Sequence, residues 1–558
     1  MQKSSITRAI VLAVGALAVG LAHAAGFDVV HLVSSSHDSL ATMIGFGMLG
    51  TVGSNTTAET LALLKVAQSS PDDIIKSFVQ PGNATSGLQA YNLEGPSKKL
   101  YPVMTPLRNS IARIGGGYAT QANWKAITNI NVGNMRGGVA EGKRGGVITH
   151  AQAEYFAAFR GFGLENNVTF EANYASKNYE DVKALAVMQT LEATMIQEER
   201  LILGGNTSVS MGTTPTPTLA GSTTGGTLSA ATWSVICVAL GLQAYLDVVG
   251  VNNGSTGQYF DASTAVVPCQ ITRTNADGTS DTFGGGSAQK SASATVATTG
   301  STGSISATVA PVAGAVGYAW FVGPAGSERL NAVTSINSTV ITAASNGAAQ
   351  LASTLAASDN STSALDFDGL LYQAIKSGSG AYVVQQPTGT AGQGTPLTSD
   401  GAGGIVEFEQ AFVYFYNRYR LSPTKIYVSA QELINITKKV IANGGAPLLK
   451  LNANINAQTN AIAAGIVVGS YWNKVTGQEV PIVVHPNMPA GTVFFYTERL
   501  PYPLANVSNV AQMLLRQDYY QLEWPLRTRK YEYGVYADGV LQHYAPFSMG
   551  VISNIANG

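Results

Sequence analysis

The chain has 558 residues, 33 acidic against 32 basic, and a formal net charge of -1. The length exceeds one ordinary domain and implies about three or four units, while the charge balance excludes a global basic field for holding nucleic acid. Only 12% of the residues are charged, about half the usual share, so the surface is rich in Ser, Thr, Asn, Gly and Ala or is covered by partners. Two cysteines, Cys237 and Cys269, do not make a disulfide framework. Spacing leaves their pairing open, and a reducing compartment would keep both as free thiols.

The first residues, MQKSSITRAIVLAVGALAVGLAHAAG, have the form of an export signal. Lys3 and Arg8 supply a basic start, Ala9 to Ala22 is apolar, and Ala22-His23-Ala24 matches a small-x-small cleavage pattern. The run is too short for a transmembrane helix, which takes ~20 apolar residues. Residues 27 to 100 read as an arm with short helices; in SSPDDIIKSFV, Ser70 or Asp72 is the N-cap and Pro71 sits at the start. SKKLYPVMTPLRNSIARIGGG carries two prolines and no sustained period, so it reads as extended chain. Residues 122 to 150 read as a long hairpin, with ANWKAITNINV going out and VITHAQAEY returning. Its tip, GNMRGGVAEGKRGG, holds six glycines together with Arg136, Glu141, Lys143 and Arg144. So many glycines would be costly inside a packed element, and they suit a loop that projects from the body.

NYEDVKALAVMQTLEATMIQEERLILGGN is the clearest helix. Val182, Leu185, Met188, Leu191, Met195 and Ile202 recur at three-to-four spacing, with Glu180 and Asp181 in the first turn and Gly204-Gly205 as the stop. At 1.5 Å per residue it would be ~36 Å long, the length of a spine. Glu198 and Glu199, adjacent and therefore pointing apart, read as solvated helix faces.

The stretch from Leu201 through Leu246 has no charged residue. After the linker TTPTPTLAGSTTGG, the runs WSVICVAL, AVVPCQITR, SISATV, GYAWFV and STVIT alternate with turn clusters, which predicts a small β-sandwich over residues 213 to 345. NADGTSD within it reads as a plain turn, because it lacks the closing Glu of a calcium loop. Further on, Phe408, Ala411, Phe412, Phe415, Tyr416 and Tyr419 form one helical face read as core. KIYVS is a short strand, and Ser429-x-x-Glu432 is a capping box opening a helix that stops at Asn443-Gly444-Gly445. VPIVVH, TVFFYT and KYEYGVYADGVLQHY are strands.

No catalytic constellation emerges. The six histidines show no i, i+4 pair beside a carboxylate, and GxSxG, P-loop and CxxC motifs are missing. We therefore expect no enzyme activity, no cofactor and no metal.

Four pieces in order carry a resemblance. WKAITNINVGNMRGGVAEGKRGGVIT is similar to the extended loop of the major capsid proteins of tailed bacteriophages, whose coat fold is shared with herpesvirus shells and encapsulins. NYEDVKALAVMQTLEATMIQEERLILGGN resembles their spine helix, KIYVSAQELINITKKVIANGG their axial domain, and RKYEYGVYADGVLQHYAPFSMGVISNI the closing strands of their peripheral domain. VAGAVGYAWFVG is similar to immunoglobulin- or fibronectin-like modules inserted in some phage structural proteins. The resemblance implies an α+β coat-protein fold with an inserted β-sandwich. The implied divisions are an N-terminal extension (1–69), an arm (70–121), the hairpin loop (122–160), a peripheral domain with the spine helix (161–212), the insertion (213–345), an axial domain (346–500) and a return to the peripheral domain (501–558).

The implied function is self-assembly, through hexamers and pentamers, into an icosahedral shell enclosing phage DNA. The implied partners are portal, decoration or other capsid proteins, double-stranded DNA contacted non-specifically, and a host surface met by the insertion. The implied location is the virion, assembled in the host cytoplasm, so the signal-like start is not expected to export the chain. An exported adhesin, or an encapsulin-type compartment, is the alternative. Arg136, Glu141, Lys143 and Arg144 are the expected inter-subunit contacts. Some family members join a loop lysine covalently to a neighbour's asparagine; Lys143 is the lysine at that place, and non-covalent contact is expected instead. The insertion is expected to carry its own core and to be dispensable for shell closure.

Overall fold

The computed structural model describes residues 96–130, 136–177, 179–250, 260–441 and 468–557. The signal-like start, the helix of SSPDDIIKSFV and the Asn443-Gly444-Gly445 stop lie outside the described residues.

In chain order the elements begin with α1 (Pro106–Ser110), β1 (Ala112–Ile114), β2 (Gln121–Ile130), β3 (His150–Ala158), β4 (Arg160–Thr169), α2 (Phe170–Ala175) and the spine helix α3 (Val182–Gly204). Residues 218–341 hold β5 (Thr218–Ser222), β6 (Ala231–Leu240), α4 (Leu242–Val249), β7 (Gln270–Thr274), β8 (Ser280–Gly284), β9 (Ala294–Thr298), β10 (Ser304–Thr308), β11 (Gly317–Gly323), β12 (Arg329–Thr334) and β13 (Ser338–Ile341). Then follow α5 (Leu370–Ile375), β14 (Tyr382–Gln385), α6 (Val406–Tyr419), β15 (Lys425–Val428), α7 (Ala430–Val440), β16 (Ser470–Asn473), β17 (Gln478–Val484), β18 (Val493–Tyr496), β19 (Ala511–Glu523), β20 (Lys530–His543) and β21 (Gly550–Ser553).

Three strand systems organise the body. A peripheral sheet has the order β1-β19-β20-β4, in which β1 runs parallel to β19 and the other pairs are antiparallel. An axial sheet of six strands has the order β14-β21-β18-β15-β17-β16. Hairpin β2-β3 stands alone as a two-stranded sheet. With the spine helix and the further sheets between residues 218 and 341, the described residues form the α+β arrangement of helices and sheets that the sequence implied.

The spine helix starts at Val182, so neither Glu180 nor Asp181 lies in its first turn. Asp181 is the N-cap, accepting hydrogen bonds from Lys183 N at 3.1 Å and Ala184 N at 3.2 Å, as an N-cap carboxylate does. Its buried positions are Ala186, Thr190, Thr194, Glu198, Glu199 and Leu201 to Gly204, whereas Met188 is exposed. Glu198 and Glu199 are 0% exposed, so the expectation of solvated faces is overturned; segments distant in sequence close over the last turns of the helix. The glycine stop has a packing reason: a Cβ on Gly204 would lie 2.2 Å from Leu242 Cδ2, and one on Gly205 would lie 2.4 Å from Phe367 O.

In the axial part, Phe408, Ala411, Phe412 and Phe415 of α6 are buried as expected, but Tyr416 is exposed. Phe408 meets Phe495 and Tyr471 edge-on, with ring centroids 5.3 and 5.2 Å apart. The capping box of α7 is half formed. Ser429 Oγ accepts from Glu432 N at 3.2 Å, but the Glu432 carboxylate turns inward and accepts from Gly491 N at 3.0 Å and Asn435 Nδ2 at 3.2 Å. Its second oxygen has no partner among the described residues. Burial pushes this carboxyl up to about 7.

A raised carboxyl pKa contributes stability that is complete below the unfolded value of 4.5 and is lost as pH rises through about 7. Glu432→Gln does not titrate. Its stability relative to the parent chain should therefore rise by about 3 kcal/mol between pH 4 and pH 8, read by chemical denaturation at each pH. An equal difference at both pH values would mean that Glu432 is solvated.

Between residues 218 and 341, β13-β10-β5 and β12-β11-β6-β9 form two sheets. One buried cluster joins them, with Trp233, Val235 and Cys237 from β6, Tyr318, Trp320 and Val322 from β11, Ile305 and Ala307 from β10, and Ile341 from β13. The alternate residues, Ile236 and Val238 of β6 with Ala319 and Phe321 of β11, enter the large core that also holds Leu203 of the spine helix and Leu246 of α4. Thus β6 and β11 are buried on both faces, which local alternation alone does not reveal. Of AVVPCQITR, only the final part is strand. Both cysteines are free, and Cys269 Sγ accepts from Ala356 N at 3.0 Å. NADGTSD is a turn: Asp277 accepts from Thr279 N and Oγ1, and Asp281 accepts from Arg273 and Asn275.

Candidate functional site

The β2-β3 hairpin is anchored at its root. Gly117 N donates to Leu515 O at 2.9 Å, and Phe159 N donates to Thr120 O at 3.1 Å. A Cβ on Gly117 would lie 2.8 Å from the Phe159 ring, so glycine is required there. Arg516 lies over the Phe159 ring at 5.2 Å, donates to Ala119 O at 2.9 Å and pairs with Asp538 at 2.5 Å. Trp124 stacks on Tyr155 at 6.0 Å and meets Tyr544 of the body edge-on at 5.8 Å. These contacts give the hairpin a fixed direction of departure.

Beyond the root no described element covers the hairpin. Phe156 is 70% exposed and Val147 93%, and Ile127, Ile130, Val139 and Ile148 are exposed as well. Arg136, Glu141, Lys143 and Arg144 are all exposed, and none forms an ion pair among the described residues. Three cations and one anion leave the tip with an excess positive charge. An isolated two-stranded ribbon is marginal in water, and a run of uncovered apolar side chains marks an interaction surface.

Beneath the root lies a buried ionic cluster that motif reading missed. Glu199 Oε1 accepts from Leu107 N at 2.9 Å and lies 2.6 Å from His485 Nε2, and Oε2 accepts from Arg108 N at 2.7 Å. One carboxylate thereby caps α1 and ties it to the spine helix and to the end of β17. Glu198 points the other way, to Arg113 at 2.5 Å, Arg108 Nε at 3.1 Å and the Tyr519 hydroxyl. Arg113 continues to Asp518 at 2.6 Å. Burial works against the Arg113 charge, but Asp518 and Glu198 outweigh it and hold its pKa above the ordinary value. The Arg113 hydrogen bond in turn holds Asp518 below the usual carboxylate range. A signal was available: acids near a helix C-terminus oppose the macrodipole, so Glu198 and Glu199 needed partners.

Among the described residues no group of three His, Cys, Asp or Glu side chains could hold a metal ion. Among the described residues the arrangement offers surfaces and anchors.

No described protein family and no curated protein matches the chain. Solved structures similar to it include the following three. The capsid of Myoviridae phage XM1 is 10% identical, over 85% of this chain and 100% of the other, with a TM-score of 0.36. The capsid of a native GTA particle is 8% identical, over 86% and 100%, also with a TM-score of 0.36. The SrpI encapsulin of Synechococcus elongatus PCC 7942 is 15% identical, over 34% and 57%, with a TM-score of 0.19.

Proposed function

We propose that the chain is a major capsid protein whose copies assemble into the icosahedral shell of a tailed phage. The observation that carries this reading is the hairpin. It is firmly rooted, yet it exposes a row of apolar side chains and four charges that have no ion-pair partner among the described residues, a surface suited to cover by another molecule. The occupant is a neighbouring copy, as in a shell that repeats one contact in every subunit. The protein is structural and not an enzyme, and it resides in the virion after assembly in the host cytoplasm. Its other partners are portal or decoration proteins, packaged double-stranded DNA and, through the insertion, a host surface.

Electron microscopy of the purified full chain tests the reading: closed shells are expected, and separate monomers under all assembly conditions would overturn it. Reversing Arg136 and Arg144 together to Glu tests the tip. Each exposed pair contributes only ~0.2–1 kcal/mol, but the loss recurs at every contact, so shell yield and shell melting temperature should both fall. If yield, particle size and melting temperature all stay unchanged, the tip charges are not contacts.

A further inference from the structure

The insertion is held to the body at three separated places. At its base, the ingoing and outgoing chains run side by side: Gly369 N donates to Gly205 O at 2.8 Å, Ser363 N to Asn206 O at 2.8 Å, and Asn206 Nδ2 to Ser361 O at 2.9 Å. Asp368 Oδ1 accepts from Thr207 N at 2.8 Å and Ser208 N at 3.1 Å. A pendant module needs no more than such a neck.

A second attachment comes from α5 and the spine. The buried Tyr372 hydroxyl accepts from Leu242 N at 3.2 Å and donates to Gly314 O at 3.3 Å. Arg200 of the spine helix pairs with Asp247 of α4 at 3.5 Å.

The third attachment reaches the axial sheet. Asn337 N donates to Asn554 Oδ1 at 2.8 Å, and Asn554 Nδ2 donates back to Asn337 Oδ1 at 3.1 Å. Asn337 Nδ2 also donates to Val309 O at 2.6 Å and Thr388 Oγ1 at 2.8 Å, while Asn554 Nδ2 donates to Gln386 O at 2.7 Å. Both side chains are buried, and both hydrogens of each amide NH2 are used. Asn554 has φ +61°, a conformation asparagine tolerates better than most residues. Beside this pair, Gly392 N donates to Ser338 Oγ at 3.0 Å, and Gln385 Nε2 donates to Val312 O at 3.1 Å.

We propose that residues 206–368 act as an intrachain brace that fixes the axial sheet relative to the spine helix and peripheral sheet, a task beyond contact with a host surface. Buried, fully used amide pairs have one geometry, and losing one member leaves the other unpaired. Three attachments hold orientation, which one neck cannot do. Resting on the shell reading, the brace sets the angle at which subunits meet and so the curvature of the particle.

The test compares the full chain with Asn337→Ala and Asn554→Ala. Hydrogen exchange is followed on unassembled subunits, and particle diameters are measured on shells by cryo-electron microscopy. Amides of residues 383–388 and 550–556 should exchange about tenfold faster or more, those of residues 185–199 should not change, and the diameters should spread. Exchange at the parent rate would overturn the brace, as would faster exchange with unchanged diameters. Should the asparagine variants fail to fold, Ser338→Ala removes only the acceptor for Gly392 N, and the same comparison applies with a smaller expected acceleration, about threefold. A parent chain that forms no shells would overturn the capsid reading, and the exchange measurement would still decide the brace.

Discussion

Glu199→Ala is expected to lower subunit stability by about 3–5 kcal/mol, the cost of leaving the donors around a buried carboxylate without their acceptor. The carboxylate touches His485 and the first two amides of α1, and it is fully buried. Its loss strands a buried histidine and two helix N-terminal N–H groups at once, and each buried unsatisfied donor costs about 1–3 kcal/mol. Because α1 leads into β1 and then the hairpin, the damage should spread to the root of the hairpin. Differential scanning calorimetry of the unassembled subunit measures the loss, and Glu199→Gln, which keeps an acceptor oxygen, should lose less. A melting temperature unchanged by Glu199→Ala would mean that water reaches the carboxylate.

His543→Leu should make the subunit far less acid-sensitive than the parent chain. His543, near the end of β20, is 3% exposed, and neither ring nitrogen has a partner among the described residues. Burial alone lowers its pKa from 6.5 to about 3. A depressed pKa contributes stability that is complete above the unfolded value and is lost as pH falls through the folded one, because the unfolded chain binds the proton first. The loss therefore runs from about pH 6.5 down to pH 3 and amounts to about 5 kcal/mol.

Asp366, which burial raises to about 6, and Glu432, raised to about 7, act in the opposite sense over part of that range. The parent chain alone would thus show a shallow curve. The difference between leucine variant and parent isolates the histidine, since leucine fills a similar volume and takes no proton. That difference should widen by about 5 kcal/mol between pH 7.5 and pH 3, measured by urea unfolding across the range. A constant difference would place water or a carboxylate beside the ring.

Much of the architecture was legible in local pattern. The 3.6-residue period of the spine, the β-rich runs and the density of glycine at the hairpin tip each follow from the conformational preferences of short segments. The strands at Lys425–Val428, Val493–Tyr496 and Lys530–His543 stand where their alternation and β-branched or aromatic content put them. The tip charges were found the same way, because a polar residue in a glycine-rich loop has nowhere to be but outside. What local pattern could not supply was any decision made between distant segments. Glu198 and Glu199 became buried because α1, β19 and the end of β17, 92 to 321 positions away, close over the spine. Glu432 abandoned its capping role for an amide 59 positions on. Strands β6 and β11 became buried on both faces because α4 covers the face that alternation left blank, and Asn337 met Asn554 across 217 positions. Those outcomes depend on which surfaces the whole fold brings together, and a buried charge or amide is stable only where its partner arrives.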